Sequence, residues 1–140
     1  MQDAQRVLVI EDSRSDVFLI REALESAGVV ADIDVVHDGQ AALRFLEEGA
    51  LPALVLLDLN LPKYSGSEIL RHIRNSLRTR DLVVLVVTSS ALSQDREELT
   101  ALGFDAYFQK PSDYEGFLKL GPIVKGLLER PLLCEPQSEP

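Results

Sequence analysis

Five side chains able to hold a cation or handle a phosphoryl group follow apolar runs in this chain. Glu11 and Asp12 come after Val7-Leu-Val-Ile10, Asp58 after Leu54-Val-Leu-Leu57, Thr88 after Leu82-Val-Val-Leu-Val-Val87, and Lys110 after Ala106-Tyr-Phe108. Three carboxylates brought within about 4 Å would repel by up to ~4 kcal/mol per pair at an effective dielectric near 20. They must therefore hold protons or recruit a cation. An all-oxygen donor set with few protein ligands suits Mg2+, or Mn2+ in its place, with Glu11, Asp12 and Asp58 as side-chain ligands. The backbone carbonyl of Asn60, two residues past Asp58, is the candidate that completes the metal shell. Asp58 is then a candidate nucleophile toward phosphorus, giving an aspartyl phosphate. Lys110 would offset the charge that builds on the transferring oxygens, and Thr88 offers a hydroxyl that follows them.

This chemistry requires the runs to be parallel strands, because open parallel sheets bind ligands at the strands' carboxyl ends. Strands are expected at about 6–10, 32–36, 53–57, 82–87 and 105–108. The third and fourth are nearly unbroken aliphatic runs, as in strands covered on both faces. The second carries Asp32 and Asp34 between apolar residues, which suits an edge. Helices alternate with them. Ser13-Arg-Ser-Asp16 has capping-box spacing and opens a helix with Val17, Ile20, Leu24 and Ala27 on one side, stopped by Gly28. Asp38-Gly39 caps a second helix through Leu43 and Leu46 to about Gly49. Ser65-Gly-Ser-Glu68 repeats the capping-box spacing before Ile69, Leu70 and Ile73. A mostly polar fourth helix over about 93–102 has only Leu92, Leu99 and Leu102 as its apolar stripe, so it is expected to be the element that moves or binds a partner. Ser112-Asp-Tyr-Glu115 begins the last helix, which Gly121-Pro122 should kink or split in two over about 112–129.

Five alternations with right-handed crossovers predict a flavodoxin-like (βα)5 fold: an α/β, doubly wound, five-stranded parallel sheet of order 2-1-3-4-5 with helices on both faces. That order sets strand one beside strand three, making Glu11, Asp12 and Asp58 neighbours.

With 140 residues the chain has room for one domain with a real core. It carries 23 acids against 14 bases, a net charge of −9, which disfavours direct binding to nucleic acid or an anionic membrane surface. No apolar run approaches a membrane span and no targeting segment is visible, so a cytoplasmic location is expected. The single Cys134 can make no internal disulfide. His37 and His72 read as exposed bystanders.

The chain resembles a response-regulator receiver domain over about residues 6–128. Glu11-Asp12 matches the family's acidic pair, Asp58 in Leu57-Asp-Leu-Asn-Leu-Pro62 its phosphoacceptor, and Gly66 the glycine of the following loop. Thr88-Ser89 matches the switch hydroxyl followed by a small residue, and Lys110-Pro111 the Lys-Pro pair, usually joined by a cis bond. Tyr107 stands at the family's aromatic switch. Glu rather than Asp at position 11 departs from the commonest pattern, but the longer side chain still reaches a metal-bound water. Leu57-Asp-Leu-Asn-Leu-Pro-Lys63 with Val87-Thr-Ser-Ser90 narrows the resemblance to small stand-alone regulators that serve phytochrome-like and other sensor kinases.

The chain is expected to be a receiver domain over 1–130 with a C-terminal tail, 131–140, and no output domain, and the resemblance implies that it is not an enzyme. It implies a sensor histidine kinase as phosphodonor and a downstream protein target or phosphotransfer protein as partner. Thr88 and Tyr107 would relay the signal to the helix-four, strand-five and helix-five face. A homodimer would use the same face, although Gly121-Pro122 departs from the smooth last helix such a dimer uses. Asn60 and Ser90 would tune access of hydrolytic water. Two other readings fit the residues less well: a phosphohydrolase commonly has a second aspartate where Asn60 stands, and a flavin or nucleotide binder needs a phosphate-cradling loop where Glu11-Asp12 would repel phosphate.

Overall fold

The computed structural model describes residues 5–62, 64–89 and 96–129. The expectations for Ser90, Leu92, the start of helix four at 93–95, and Cys134 with the tail at 131–140 lie outside the described residues. Five parallel strands, β1 (Gln5–Ile10), β2 (Ala31–Val36), β3 (Leu54–Leu57), β4 (Val83–Thr88) and β5 (Ala106–Gln109), form one sheet in the order β2-β1-β3-β4-β5. The doubly wound order expected from the apolar runs is the observed one. Among the described residues, six helices connect and flank them: α1 (Arg14–Ser26), α2 (Gly39–Glu48), α3 (Gly66–Asn75), α4 (Arg96–Leu102), α5 (Tyr114–Leu118) and α6 (Leu120–Glu129).

The alternation of side chains along each strand divides the core into two layers. Val7, Val9, Leu54, Leu56, Leu85, Val87 and Phe108 face α1, α5 and α6, where Ile20, Leu24, Phe117, Leu120 and Val124 meet them. Leu8, Ile10, Val55, Leu57, Val84 and Val86 face α2, α3 and α4, packing on Leu46, Ile69, Leu70, Ile73 and Leu99. Both faces of β1, β3 and β4 are therefore covered, which is why these strands are aliphatic at nearly every position. On the edge strand β2, Asp32 is exposed and Asp34 lies 3.3 Å from Arg6 of β1.

Helix starts follow the capping signals with two changes. Ser65 and Glu68 form a complete capping box on α3. At α1, Ser13 accepts from the Asp16 backbone N–H, but the Ser13 N–H donates to Glu11 Oε2 at 3.2 Å instead of to Asp16, so the box is half made. Asp113, not Ser112, caps the penultimate helix, accepting from the Gly116 N–H. The split in the last helical segment falls at Lys119, three residues before Pro122. Pro122 cannot donate to the Leu118 carbonyl and its ring crowds that group, so the break lies one turn upstream, and Pro122 itself sits in the first turn of α6, where no intrahelical donor is needed.

Gly121 has a second role. A Cβ there would collide with the Ala23 carbonyl oxygen of α1 and lie 2.8 Å from the Ala27 Cβ, so the glycine permits the close α1–α6 approach. Gly121→Ala is expected to destabilise the chain by about 1–3 kcal/mol through forced separation of these helices. Chemical denaturation measures this, and a variant as stable as the wild type would show that the two helices can part without cost.

Candidate phosphoacceptor site

The site lies at the carboxyl edge of the sheet, and the strand ladders extend one residue to hold it. The Glu11 N–H donates to the Val36 carbonyl at 3.0 Å, the Asp58 N–H to the Ile10 carbonyl at 3.1 Å, and the Lys110 N–H to the Thr88 carbonyl at 2.8 Å. Each functional residue is thus fixed at its backbone by the neighbouring strand. Glu11, Asp12 and Asp58 each offer a carboxylate oxygen within 4.8 Å of the others. Glu11 and Asp58 are buried at 1% and 5% exposure, whereas Asp12 is exposed at the rim. Such a graded all-oxygen set fits a hydrated divalent cation: buried acids supply charge, and the open rim leaves room for the waters that Mg2+ retains.

Lys110 reaches into this cluster. Its side chain is 7% exposed, and Nζ lies 2.7 Å from Glu11 Oε1, 2.7 Å from Asp16 Oδ2 and 3.6 Å from Asp58 Oδ2. Burial alone would lower the lysine pKa, but the hydrogen bonds that Lys110 donates to Asp16 and Glu11 and the charge of Asp58 outweigh it and push the value up. Asp58 Oδ1 also accepts the Asn60 N–H at 3.2 Å, which orients the carboxylate. Thr88 is the last residue of β4 and fully buried. Tyr107, half-buried and opposite Val86, packs against the core layer beneath α3 and α4. Gly66 is the first residue of α3 and not a loop residue: a Cβ there would lie 2.6 Å from the Leu59 Cα and 2.9 Å from the Asp58 carbonyl, so glycine lets α3 close on the backbone behind Asp58. The Lys110–Pro111 bond is trans, unlike the cis bond expected. Trans is the lower-energy isomer of such bonds by about 0.5–1 kcal/mol.

Two site residues escaped the sequence reading. Asp16 was legible only as a helix cap, although an acid in the first turn of the helix after β1 must lie near the carboxyl edge. His37 is exposed as expected, yet its Nδ1–H donates to the Glu11 carbonyl oxygen at 3.1 Å and so buttresses the acidic turn. Its position directly after β2, beside β1, was the available signal. His72 is half-buried and lies 3.4 Å from Glu47, away from the site.

Burial pushes the Glu11 carboxyl up to about 7, against the pull of the Lys110 hydrogen bond and with the Asp58 charge adding to the rise. The folded chain therefore keeps this proton between the ordinary value of 4.5 and about 7, where the unfolded chain has lost it. Its contribution to stability is full below that window and is lost as pH rises through it. A bound cation displaces the proton, so Mg2+ should raise Tm by several degrees more near pH 8 than near pH 5.5. Thermal melts with Mg2+ and with EDTA test this; an equal Mg2+ effect at both pH values would contradict the assignment.

The family described as "Response regulator receiver domain" matches residues 7–120. The "Probable methanogenesis regulatory protein FilR2" of Methanothrix harundinacea is 37% identical over 129 residues, covering 89% of this chain and 83% of the relative. Among solved structures, the phosphorylated cyanobacterial phytochrome response regulator RcpA superposes with a TM-score of 0.84 at 28% identity, covering 91% of this chain and 96% of that one. The Mn2+-bound form of response regulator Rcp1, a protein of Synechocystis sp., superposes with a TM-score of 0.82 at 30% identity and the same coverage.

Proposed function

Because this chain belongs to the response regulator receiver domain family, we propose that it accepts a phosphoryl group on Asp58 from a sensor histidine kinase and switches protein contacts in response. The chain is a receiver-domain response regulator of two-component signalling, and receiver domains are signalling proteins rather than classical enzymes. Receiver domains bind Mg2+ or Mn2+ at an acidic site. Glu11, Asp12, Asp58 and the Asn60 carbonyl would hold it here, and when bound it would neutralise charge on the transferring phosphoryl oxygens.

An Asp58 carboxylate oxygen forms the new O–P bond as the donor imidazole's N–P bond breaks. That electron pair returns to the imidazole nitrogen, which takes a proton. Lys110 accompanies the charge gained at Asp58, and Thr88 donates its hydroxyl to a phosphoryl oxygen. A modification adding about −1.5 to −2 charges is large enough to bias a loop with two arrangements. Thr88 ends the strand that carries Val86, and Val86 faces Tyr107, so a shift at Thr88 is transmitted to the aromatic ring and to the surface of α4, β5 and α5. A downstream protein or phosphotransfer protein would read that surface, and a second copy of the chain is a further candidate for it. Similarity to the cyanobacterial phytochrome response regulator RcpA supports a phytochrome-like kinase as the donor.

The observation that carries this reading is the ammonium of Lys110 set 3.6 Å from Asp58 inside a three-carboxylate cluster. The test is intact mass after incubation with Mg2+ and acetyl phosphate. One phosphate per chain, lost when EDTA replaces Mg2+, is expected. No adduct, with beryllofluoride also failing to bind, would refute phosphoacceptance.

A further inference from the structure

Asp16 lies outside the metal cluster, yet it makes one of the two shortest contacts to Lys110. The half-made cap explains why its carboxylate is available. Ser13 takes the Asp16 backbone N–H, while Glu11 takes the Ser13 N–H that a full capping box would have assigned to residue 16. Asp16 is held by its backbone in the first turn of α1 with its carboxylate turned to the ammonium 94 residues away.

An ammonium has three donors. Two are committed at 2.7 Å, to Glu11 and Asp16, and the distance of 3.6 Å to Asp58 exceeds a hydrogen bond. A phosphoryl group bound to Asp58 would set strong acceptor oxygens beside the ammonium and draw Lys110 toward it. The two present partners differ in what they lose. The Glu11 side chain is only 2% exposed, whereas the Asp16 side chain is 27% exposed and open to water that can take the lysine's place. Asp16 is the partner that can be given up at least cost.

We infer that Asp16 is a positioning residue that holds the Lys110 ammonium back from Asp58 in the resting chain and competes for it with the phosphoryl group. The inference rests on the phosphoacceptor reading. Asp16 thereby sets how readily the phosphorylated arrangement forms, and its release is part of switching.

Beryllofluoride with saturating Mg2+ serves as the phosphoryl mimic, and its half-saturating concentration is read by NMR. Asp16→Asn keeps the shape and the backbone cap and removes the competing charge. The half-saturating concentration should fall about three- to ten-fold, the range expected for losing one partly exposed ion pair. Asp16→Glu, which keeps the charge, should restore the wild-type value to within about two-fold. Plain removal of negative charge would also favour an anion, so Asp16→Asn is repeated in a Lys110→Gln background. The effect should vanish there. In metal-free protein the Lys110 side-chain NMR signal should move in Asp16→Asn and stay in place in Asp16→Glu.

An unchanged half-saturating concentration, an equal effect without Lys110, or an unmoved Lys110 signal would each overturn the inference. Failure of the wild-type chain itself to take beryllofluoride would overturn the phosphoacceptor reading and this inference with it, and is distinguished because no variant is needed to see it.

Discussion

An Asp58→Asn chain incubated with Mg2+ and acetyl phosphate is expected to keep its unmodified mass, with the rate of phosphate uptake reduced on the order of a thousandfold or more. The amide differs from the carboxylate by one atom and fits the same space, so the loss isolates nucleophilicity from packing. An amide oxygen carries no charge to place on phosphorus, and Lys110 would then face no developing acyl phosphate. The fold should survive. Asp58 is 5% exposed beside Glu11 and Asp12, and removing one of three clustered charges relieves repulsion while Lys110 keeps its contacts to Glu11 and Asp16. The metal-free variant is therefore expected to melt at or above the wild-type temperature and to gain less from Mg2+. Full phosphorylation of Asp58→Asn at another residue would overturn the assignment of the phosphoacceptor.

Lys110→Ala should produce the opposite pattern. Nζ is the shared cation of Glu11, Asp16 and Asp58 at 2.7, 2.7 and 3.6 Å, and its loss leaves at least two nearly buried carboxylates unpaired. Breaking a buried pair from one side costs about 3–5 kcal/mol. Because Asp16 is partly exposed and Glu11 can take up a proton, the expected loss in EDTA is nearer ~2–3 kcal/mol. Mg2+ should recover much of it, since a divalent cation replaces the missing charge among the same oxygens. Denaturation in Mg2+ and in EDTA would separate these effects. Equal stability of variant and wild type in EDTA would mean that the ammonium contributes nothing to the resting cluster. Phosphate uptake should persist at a reduced rate, because Asp58 and the acidic pair remain. Phosphorylation-dependent binding of a partner should be lost, since no group follows the new charge from β5.

The residues of this cluster differed in how they could be recognised. Asp58 was legible because an apolar run of strand length ended at it and other chemistry-bearing residues ended comparable runs. Local pattern sufficed: parallel strands covered on both faces must be aliphatic, and their carboxyl ends must face one edge. The same locality made Asp38 and Ser65 readable as helix caps, Asp32 as the wet residue of an edge strand, and Pro122 as a helix breaker. Each of these depends on neighbours within about four residues.

Partner choice is not local, and there only the tertiary structure decided. Asp16 has the spacing of a capping acid, but whether its carboxylate turns back to Ser13 or across to Lys110 depends on where the end of β5 places Lys110, 94 residues later. Gly121 looked like part of a helix break, yet its steric need comes from the Ala23 carbonyl of α1. The raised pKa of Glu11 comes from burial and from the charge of Asp58 after β3, against the pull of Lys110 after β5. The sequence by itself determined which residues could form strands and helices and which end of the sheet would carry acids. The tertiary structure decided which acid holds the lysine and how far that lysine stands from Asp58, because such distances are set by packing between elements far apart in the chain.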